Sequence, residues 1–159
     1  MSNRLVIEKL SGKNFDEFVR LISAFANFEK FSPPDQKART RLRKDGLGQN
    51  LKYEAHLVKI NGKYIAYIVF FMAYASFIAL LTIFLEDFFI LKEYRRKGIR
   101  QKILDFCMKF AKKRNCGRVD LTVLDWNVNA IKFYEKNKFK FINWKLYRLE
   151  RKEIMNYPS

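Results

Sequence analysis

Metal-ligating residues are scarce in this chain of 159 residues, which contains two cysteines and one histidine. Cys107 and Cys116 do not have the spacing of zinc-binding thiols, and His56 alone cannot complete a metal site. We therefore expect no metal centre. Both cysteines fit the description of buried, reduced thiols, which are typical of cytoplasmic proteins. The expected location is the cytoplasm.

Proline and glycine are also few, three and six respectively, and no stretch rich in Pro, Gly and Ser divides the chain. A chain of 159 residues is long enough for one domain with a full core. The sequence therefore predicts a single domain over residues 1–159. No charged segment followed by a small-residue cleavage site opens the chain, so no signal peptide is predicted.

Acidic residues are half as numerous as basic ones, 16 against 32, which gives a formal net charge of +16. This excess favours an anionic partner such as nucleic acid, a membrane surface or a polyphosphate cofactor. The basic residues crowd into segments 37–44 and 92–114. Most aromatic residues fall at predicted core positions, whereas stacking surfaces for nucleic acid need exposed ones. Nucleic acid is therefore the less favoured partner.

One run, residues 64–85, contains no charged residue and meets the length rule of about 20 residues for a membrane-spanning helix. It follows Asn61-Gly62, a hairpin signal, and it is dense in Ile, Val, Phe and Tyr. Further apolar residues follow Glu86-Asp87 at its end. These features favour buried strands. We therefore expect no membrane association.

Hydrophobic periodicity predicts a mixed α/β order with no internal repeat. Local signals mark several boundaries: Asn14 as a helix N-cap, Gly46 as a left-handed C-terminal residue, and Asn127 or Asn129 as the start of a late helix. The predicted strands are 4–10, 53–60, 64–73, 80–91, 119–123, 139–142 and 144–149, and the predicted helices are 14–29, 35–44, 98–115 and 127–137.

The stretch from Leu85 to Arg100, LEDFFILKEYRRKGIR, combines a strand that carries two acids with a basic turn and a glycine that opens a helix. Such a turn presents backbone N–H groups beside the positive end of the helix dipole. The stretch therefore predicts a phosphate seat. A merely solvated basic turn is the alternative for Arg95, Arg96 and Lys97.

Two motifs in this order resemble the GNAT superfamily of acetyl-CoA-dependent N-acetyltransferases. The first requires Gln or Arg, two variable residues, Gly, one variable residue, and Gly or Ala; residues 95–99 match it, and Arg100 departs from its last position. The second matches Asn127, Ala130 and Tyr134. The resemblance implies the GNAT fold, an α/β architecture in which helices flank a mixed, mostly antiparallel twisted sheet.

Five segments resemble the diamine branch of that superfamily, which includes the spermidine/spermine and thialysine acetyltransferases. They are DGLG at 45–48, LEDFF at 85–89, WN at 126–127, AIKFYEKN at 130–137 and WKLYRL at 144–149. The resemblance implies acetyl transfer from acetyl-CoA to a primary amine of a small polyamine- or lysine-like acceptor, by direct attack. It also implies a homodimer. A protein lysine or N-terminus, an aminoglycoside-like acceptor, or a nucleic-acid-binding function remain alternatives.

The same resemblance implies the site residues. Tyr134 is the expected acid, with core packing as its alternative, and Glu86 is the expected base, with an electrostatic or structural role as its alternative. In the branch, a tyrosine stands where this chain has Phe28, and acids stand at 142–143, where it has Ile142-Asn143. The expected cofactor contacts are Phe88, Phe89, Ile90, Arg95, Arg96, Lys97, Gly98, Ile99, Arg100, Gln101, Asn127, Val128, Asn129 and Ala130. The expected acceptor contacts are Phe28, Glu29, Glu86, Asp87, Trp126 and Trp144.

Overall fold

The computed structural model describes residues 4–158. The chain divides into two compact units, one ending at Thr122 and the other beginning at Val123. The first unit contains β1 (Leu5–Lys9), α1 (Phe15–Phe28), α2 (Gln36–Leu47), β2 (Glu54–Ile60), β3 (Lys63–Ala75), β4 (Leu80–Ile90), a 3-10 helix (Lys92–Tyr94), α3 (Ile99–Lys113) and β5 (Arg118–Leu121). The second contains α4 (Val128–Lys136) and α5 (Arg151–Met155).

The five strands form one sheet in the order β1-β2-β3-β4-β5. The first four are joined as antiparallel neighbours, and β5 lies parallel to β4. Because parallel neighbours need a crossover connection, the chain passes through α3 between these two strands. The expected α/β fold with a mixed, mostly antiparallel sheet and flanking helices is confirmed.

Alternating side chains of the sheet build a core on each of its faces. On one face, Ile68, Phe70 and Ile83 pack with Ile103 and Cys107 of α3. The opposite core also contains helix residues, and it consists of Leu10, Phe15, Phe18, Val19, Leu21, Ala55, Leu57, Tyr67, Val69 and Phe89. We call these the α3 face and the α1 face of the sheet. The apolar stripe predicted for the first helix is therefore confirmed.

The β2–β3 hairpin turns at the predicted residues. Ile60 pairs with Lys63, which leaves Asn61 and Gly62 as a two-residue loop. Their φ angles are 51° and 81°, and two positive φ angles are what a type I′ turn requires. This turn matches the right-handed twist of the strands that it joins.

The expected role of Gly46 is wrong. α2 continues through Gly46 to Leu47, and Gly48 follows as the C-terminal cap. A Cβ atom at Gly46 would collide with the phenol of Tyr53, whose hydroxyl donates a 2.7 Å hydrogen bond to the Leu42 carbonyl. Gly46 is therefore suited to close packing inside the helix, and a local signal for helix ends could not distinguish the two uses.

The two final strands predicted at 139–142 and 144–149 are also wrong. The described structure has no strand in these segments, which are exposed throughout residues 140–150. Alternating apolar residues favour a strand, but a strand forms only when its backbone groups pair with a neighbour. A Trp144 N–H to Ile142 carbonyl bond is local and forms no ladder.

The uncharged run 64–85 forms most of β3 and the first half of β4. Its fully buried residues include Tyr67, Ile68 and Ile83. Among residues 4–158, no helix combines the length and the hydropathy needed to cross a bilayer.

His56 of β2 lies 93% buried in an aromatic cluster, with a relative exposure of 7%. Its ring stacks on Phe70 at 5.8 Å and meets Phe106 edge-on at 4.9 Å. Its Nδ1 atom has no hydrogen-bond partner among the described residues. Burial lowers the pKa of His56 to about 4, and the charges of Lys9 and Arg114 lower it further against the opposing effect of Glu54. The folded protein therefore holds this imidazole neutral.

Replacing this imidazole should flatten part of the acid denaturation profile. The unfolded chain protonates His56 near pH 6.5 and the folded protein near pH 4, so stability is lost as the pH falls between these values. The loss is at most about 1.4 kcal/mol per pH unit. His56→Phe, measured by urea denaturation at pH 7, 5.5 and 4.5, should lose less stability than the wild type. Parallel profiles for the two proteins would contradict a neutral buried imidazole.

Candidate active site

A β-bulge at Glu86 organises the middle of β4. Asp87 pairs with Val69 of β3 while Leu85 pairs with the next residue, Phe70, so Glu86 has no opposite residue. Because side chains alternate along a strand, one extra residue turns all later side chains to the other face. Before the bulge, Leu85 lies on the α3 face. After it, Phe89 lies on the α1 face.

The bulge separates the two adjacent acids predicted for the site. Glu86 is exposed, whereas Asp87 is only partly accessible and lies on the α1 face. The Tyr67 hydroxyl donates a 3.0 Å hydrogen bond to Asp87 Oδ2. Tyr67 is fully buried and was not a predicted site residue.

The environment of Asp87 favours its protonated form more than water does. Burial raises the pKa of Asp87 to about 6, and the charges of Glu86 and Glu29 raise it further. The Tyr67 hydrogen bond opposes this rise because it stabilises the carboxylate. Burial also raises the pKa of Glu29, and it raises the pKa of Tyr67 well above its usual range. Asp87 therefore changes charge close to neutral pH.

Aromatic rings surround this carboxylate on the α1 face. Phe25 stacks on Phe89 with 5.1 Å between ring centroids, and Tyr67 and Phe28 lie 6.2 and 6.3 Å from the same ring. We call Phe25, Phe28, Tyr67 and Phe89 the aromatic wall. Phe28 and Glu29, both predicted acceptor contacts, end α1 beside it. An acid beside aromatic faces is an environment that attracts a cationic amine.

Beyond the bulge, one edge of β4 lies clear of its described neighbours. β5 pairs only with residues 82–85 of β4. The Leu91 N–H donates to the Ile65 carbonyl of β3 at 2.9 Å. Because successive residues of a strand direct their backbone groups to opposite sides, those of Ile90 and Phe88 point away from β3. This edge can accept an extended ligand as an added strand.

Phe89, also predicted as a cofactor contact, is oriented differently from its two neighbours. It pairs with Tyr67 of β3 in the strand register, and its ring belongs to the aromatic wall. Its backbone groups therefore point toward β3.

The predicted phosphate turn has the backbone that an anion cradle requires. Arg96 and Gly98 adopt positive φ angles of 61° and 72°. Gly98 caps α3 at its N-terminus without a side-chain hydrogen bond, and no atom lies within 4 Å of the place that a Cβ would take there. Arg96, Lys97 and Gly98 are exposed. Open space, positive charge and the start of a 15-residue helix fit a pyrophosphate group.

Arg95 differs from the other basic residues of this turn. Its Nε–H donates a 2.8 Å hydrogen bond to the Ile90 carbonyl. Its guanidinium carbon lies 4.6 Å from the Phe28 ring centroid and 5.6 Å from that of Phe89. The side chain thus folds back from the turn onto the aromatic wall. Arg100, which departs from the motif, lies half-buried in the first turn of α3.

The remaining predicted site residues belong to the second unit. Asn127 caps α4, and its side-chain oxygen accepts a 3.3 Å hydrogen bond from the Ala130 N–H. Tyr134 packs edge-on against Phe133 and Phe139, each at 5.4 Å. Val128, Asn129, Trp126 and Trp144 are exposed. The second motif is therefore a capped helix with a tyrosine on its third turn.

Three relatives with named functions align with the chain. It is 43% identical over 93 residues to an L-ornithine N5-acetyltransferase of Arabidopsis thaliana, which covers 57% of this chain but only 41% of that protein. It is 30% identical over 125 residues to a thialysine N-epsilon-acetyltransferase of Bos taurus, covering 74% and 73%. The mouse thialysine N-epsilon-acetyltransferase is 28% identical over 127 residues, covering 75% and 74%.

Solved structures share the fold. A possible acetyltransferase from Clostridium difficile 630 superposes with a TM-score of 0.79 at 21% identity, covering 92% of this chain and 97% of that one. An aminoglycoside N-acetyltransferase in complex with CoA superposes with a TM-score of 0.76 at 13% identity, covering 95% and 97%.

The sequence pattern of the Acetyltransferase (GNAT) family matches residues 18–139. This match begins in α1 and ends just beyond α4, so it includes both motifs. The chain belongs to the GNAT acetyltransferase family and is an acetyltransferase that uses acetyl-CoA.

Proposed function

We propose that this enzyme acetylates a primary amine of a small polyamine- or lysine-like acceptor by direct attack on acetyl-CoA. The observation that carries the proposal is the Asp87 carboxylate, held by Tyr67 and enclosed by the aromatic wall beside the open edge of β4. Such a site suits a cationic amine. The names of the relatives, an ornithine and two thialysine acetyltransferases, support an acceptor with a terminal amine.

The chain would hold acetyl-CoA mainly through its backbone. The Phe88 and Ile90 edge of β4 is oriented to pair with the pantetheine arm, and the turn at 96–101 is shaped for the pyrophosphate. By the family pattern, residues 127–130 add further contacts. The bound group supplies an activated thioester carbonyl, and positioning an amine against it lowers the barrier by proximity.

The amine must lose its proton before it can attack, because a primary ammonium group has a pKa near 10. Glu86 is the proposed base, acting through water from its exposed position at the bulge. Asp87 would attract and orient the ammonium group. Its pKa of about 6 leaves it mostly ionised at pH 7, so it also favours the cation's approach in a chain of net charge +16.

Tyr134 is the proposed acid that protonates the departing thiolate. A phenol can supply a proton to a thiolate leaving group as a general acid. The Phe133 and Phe139 rings hold the Tyr134 ring edge-on from two sides. Such packing restricts the ring and preorganises its hydroxyl group.

A homodimer and a cytoplasmic location complete the proposal. Cys107 is buried and Cys116 is half-buried, and both are free thiols. Free thiols fit a reducing compartment. Size-exclusion chromatography with light scattering tests the dimer.

An acceptor panel with labelled acetyl-CoA tests the activity. We expect label to enter small primary amines such as lysine, ornithine, putrescine and spermidine, and coenzyme A to raise the melting temperature of the protein. Label transfer only to protein lysines or N-termini would favour the alternative acceptor. Salt-sensitive DNA binding without stabilisation by coenzyme A would instead favour a nucleic-acid function.

Tyr134→Phe should lower kcat by roughly 10²-fold or more while leaving the KM for acetyl-CoA unchanged, since general acid catalysis contributes at this scale. Tyr157→Phe, which removes another phenol from the same unit, serves as the matched control. The measurement is steady-state kinetics with an acceptor found in the panel. Unchanged turnover would assign Tyr134 to packing and leave the fold assignment intact.

Tyr67→Phe should raise the pKa of Asp87, because it removes the hydrogen bond that stabilises the carboxylate. The rise should be about one unit, the value of a hydrogen bond to a charged group. Titration of the Asp87 carboxyl carbon by NMR measures it, and the acidic limb of kcat/KM should move the same way. Tyr64→Phe, which loses a bond to Glu8, is the control that should leave Asp87 unchanged. A fall in the Asp87 pKa in Tyr67→Phe would contradict the assignment.

A further inference from the structure

The Arg95 guanidinium is a cation resting on the aromatic wall. Its position 4.6 Å above Phe28 and 5.6 Å from Phe89 is that of a cation–π contact. The Ile90 carbonyl accepts the Nε–H and fixes the plane of the group. The wall that would attract the ammonium group of an acceptor is therefore already occupied, at this end, by the protein's own cation.

The positive charge of Arg95 has no close carboxylate partner. Among residues 4–158, Arg95 forms no ion pair, although Glu93 acts on it from a longer distance. Burial and the charge of Arg100 both lower the pKa of Arg95, but an arginine stays protonated at neutral pH. A half-buried guanidinium has N–H donors arranged to bind a carboxylate with two parallel bonds.

Arg95 and Asp87 mark opposite ends of one short surface. Asp87 and Phe89 are two residues apart on the same face of β4, which corresponds to about 7 Å. Arg95 covers the Phe89 end, and Tyr67 fixes the Asp87 end. The surface therefore presents a negative group at one end and a positive group at the other. A diamino acid has the complementary arrangement, with a terminal amine and a carboxylate.

A linear polyamine fits this surface less well than a diamino acid does. Its second ammonium group would meet the Arg95 charge at the place where an amino acid presents its carboxylate. Two like charges in a partly buried site repel strongly because solvent screens them poorly.

Building on the proposed function, we infer that Arg95 is a specificity-determining residue that binds the carboxylate of a diamino-acid acceptor. Arg95 thereby excludes linear polyamines, and it acts on the acceptor instead of on the pyrophosphate expected from its place in the motif. The prefixed orientation of its guanidinium reduces the entropy lost on binding. The enzyme is accordingly a diamino-acid N-acetyltransferase.

The test compares acceptors that differ only by the carboxylate: lysine with 1,5-diaminopentane, and ornithine with putrescine. The wild type should have the lower KM for each amino acid. In Arg95→Met, the KM for lysine should rise roughly tenfold, the scale of a charge-assisted hydrogen-bonded contact, while the KM for 1,5-diaminopentane stays equal or falls. Arg95→Lys should recover part of the loss because it restores the charge without the planar fork.

Arg43→Met is the matched control, since Arg43 also rests on a phenylalanine of α1, with 5.0 Å to the Phe15 ring. It should leave every KM unchanged. An equal rise of KM for lysine and 1,5-diaminopentane in Arg95→Met would overturn the inference. So would a rise confined to the KM for acetyl-CoA, which would return Arg95 to the phosphate site.

Binding separates this inference from the proposed function. If the wild type acetylates none of the four acceptors, the proposed function fails, and calorimetry on the protein saturated with coenzyme A then decides the role of Arg95. Lysine binding that is stronger than 1,5-diaminopentane binding and weakens in Arg95→Met supports the inference. Equal binding of the two compounds, or binding of neither, overturns it.

Discussion

The register of β3 against β4, shifted by one residue at Glu86, is the constraint on which the acceptor side of this enzyme depends. An uninterrupted strand would place Asp87 on the same face as Leu85, within the apolar core beneath α3. An unpartnered carboxylate there would be costly to bury. The extra residue instead turns Asp87 to the α1 face, where the Tyr67 hydroxyl meets it.

That shift also explains how a strongly basic protein keeps a place for a cationic acceptor. Glu29 and Asp87 lie near enough to raise each other's charge cost, and aromatic rings exclude water around them. Local attraction decides the fate of an amine once it has entered, because salt screens the long-range field within about 10 Å. The net charge of +16 therefore opposes amine binding far less than the total suggests.

Arg95 connects the chemistry of the turn with that of the aromatic wall. Its backbone belongs to the basic turn before α3, whereas its guanidinium contacts Phe28 at the end of α1. The departure from the branch at Phe28 gains a physical meaning here, since a phenylalanine offers only a ring face to that cation. Backbone and side chain of one residue can thus serve different parts of a site.

The sequence by itself determined the order of the elements in the first unit, the turn at Asn61-Gly62, the helix start at Gly98 and the cap at Asn127. These features follow from short-range rules of backbone conformation and from apolar periodicity. The cofactor was predictable for the same reason, because a phosphate turn and its helix are contiguous in the chain. Only the tertiary structure decided that Gly46 packs on Tyr53, that residues 139–149 form no strand, that Tyr67 bonds Asp87, and that Arg95 folds back onto Phe28. Each of these depends on which distant backbone or side chain arrives nearby, and a one-residue bulge is enough to change the answer.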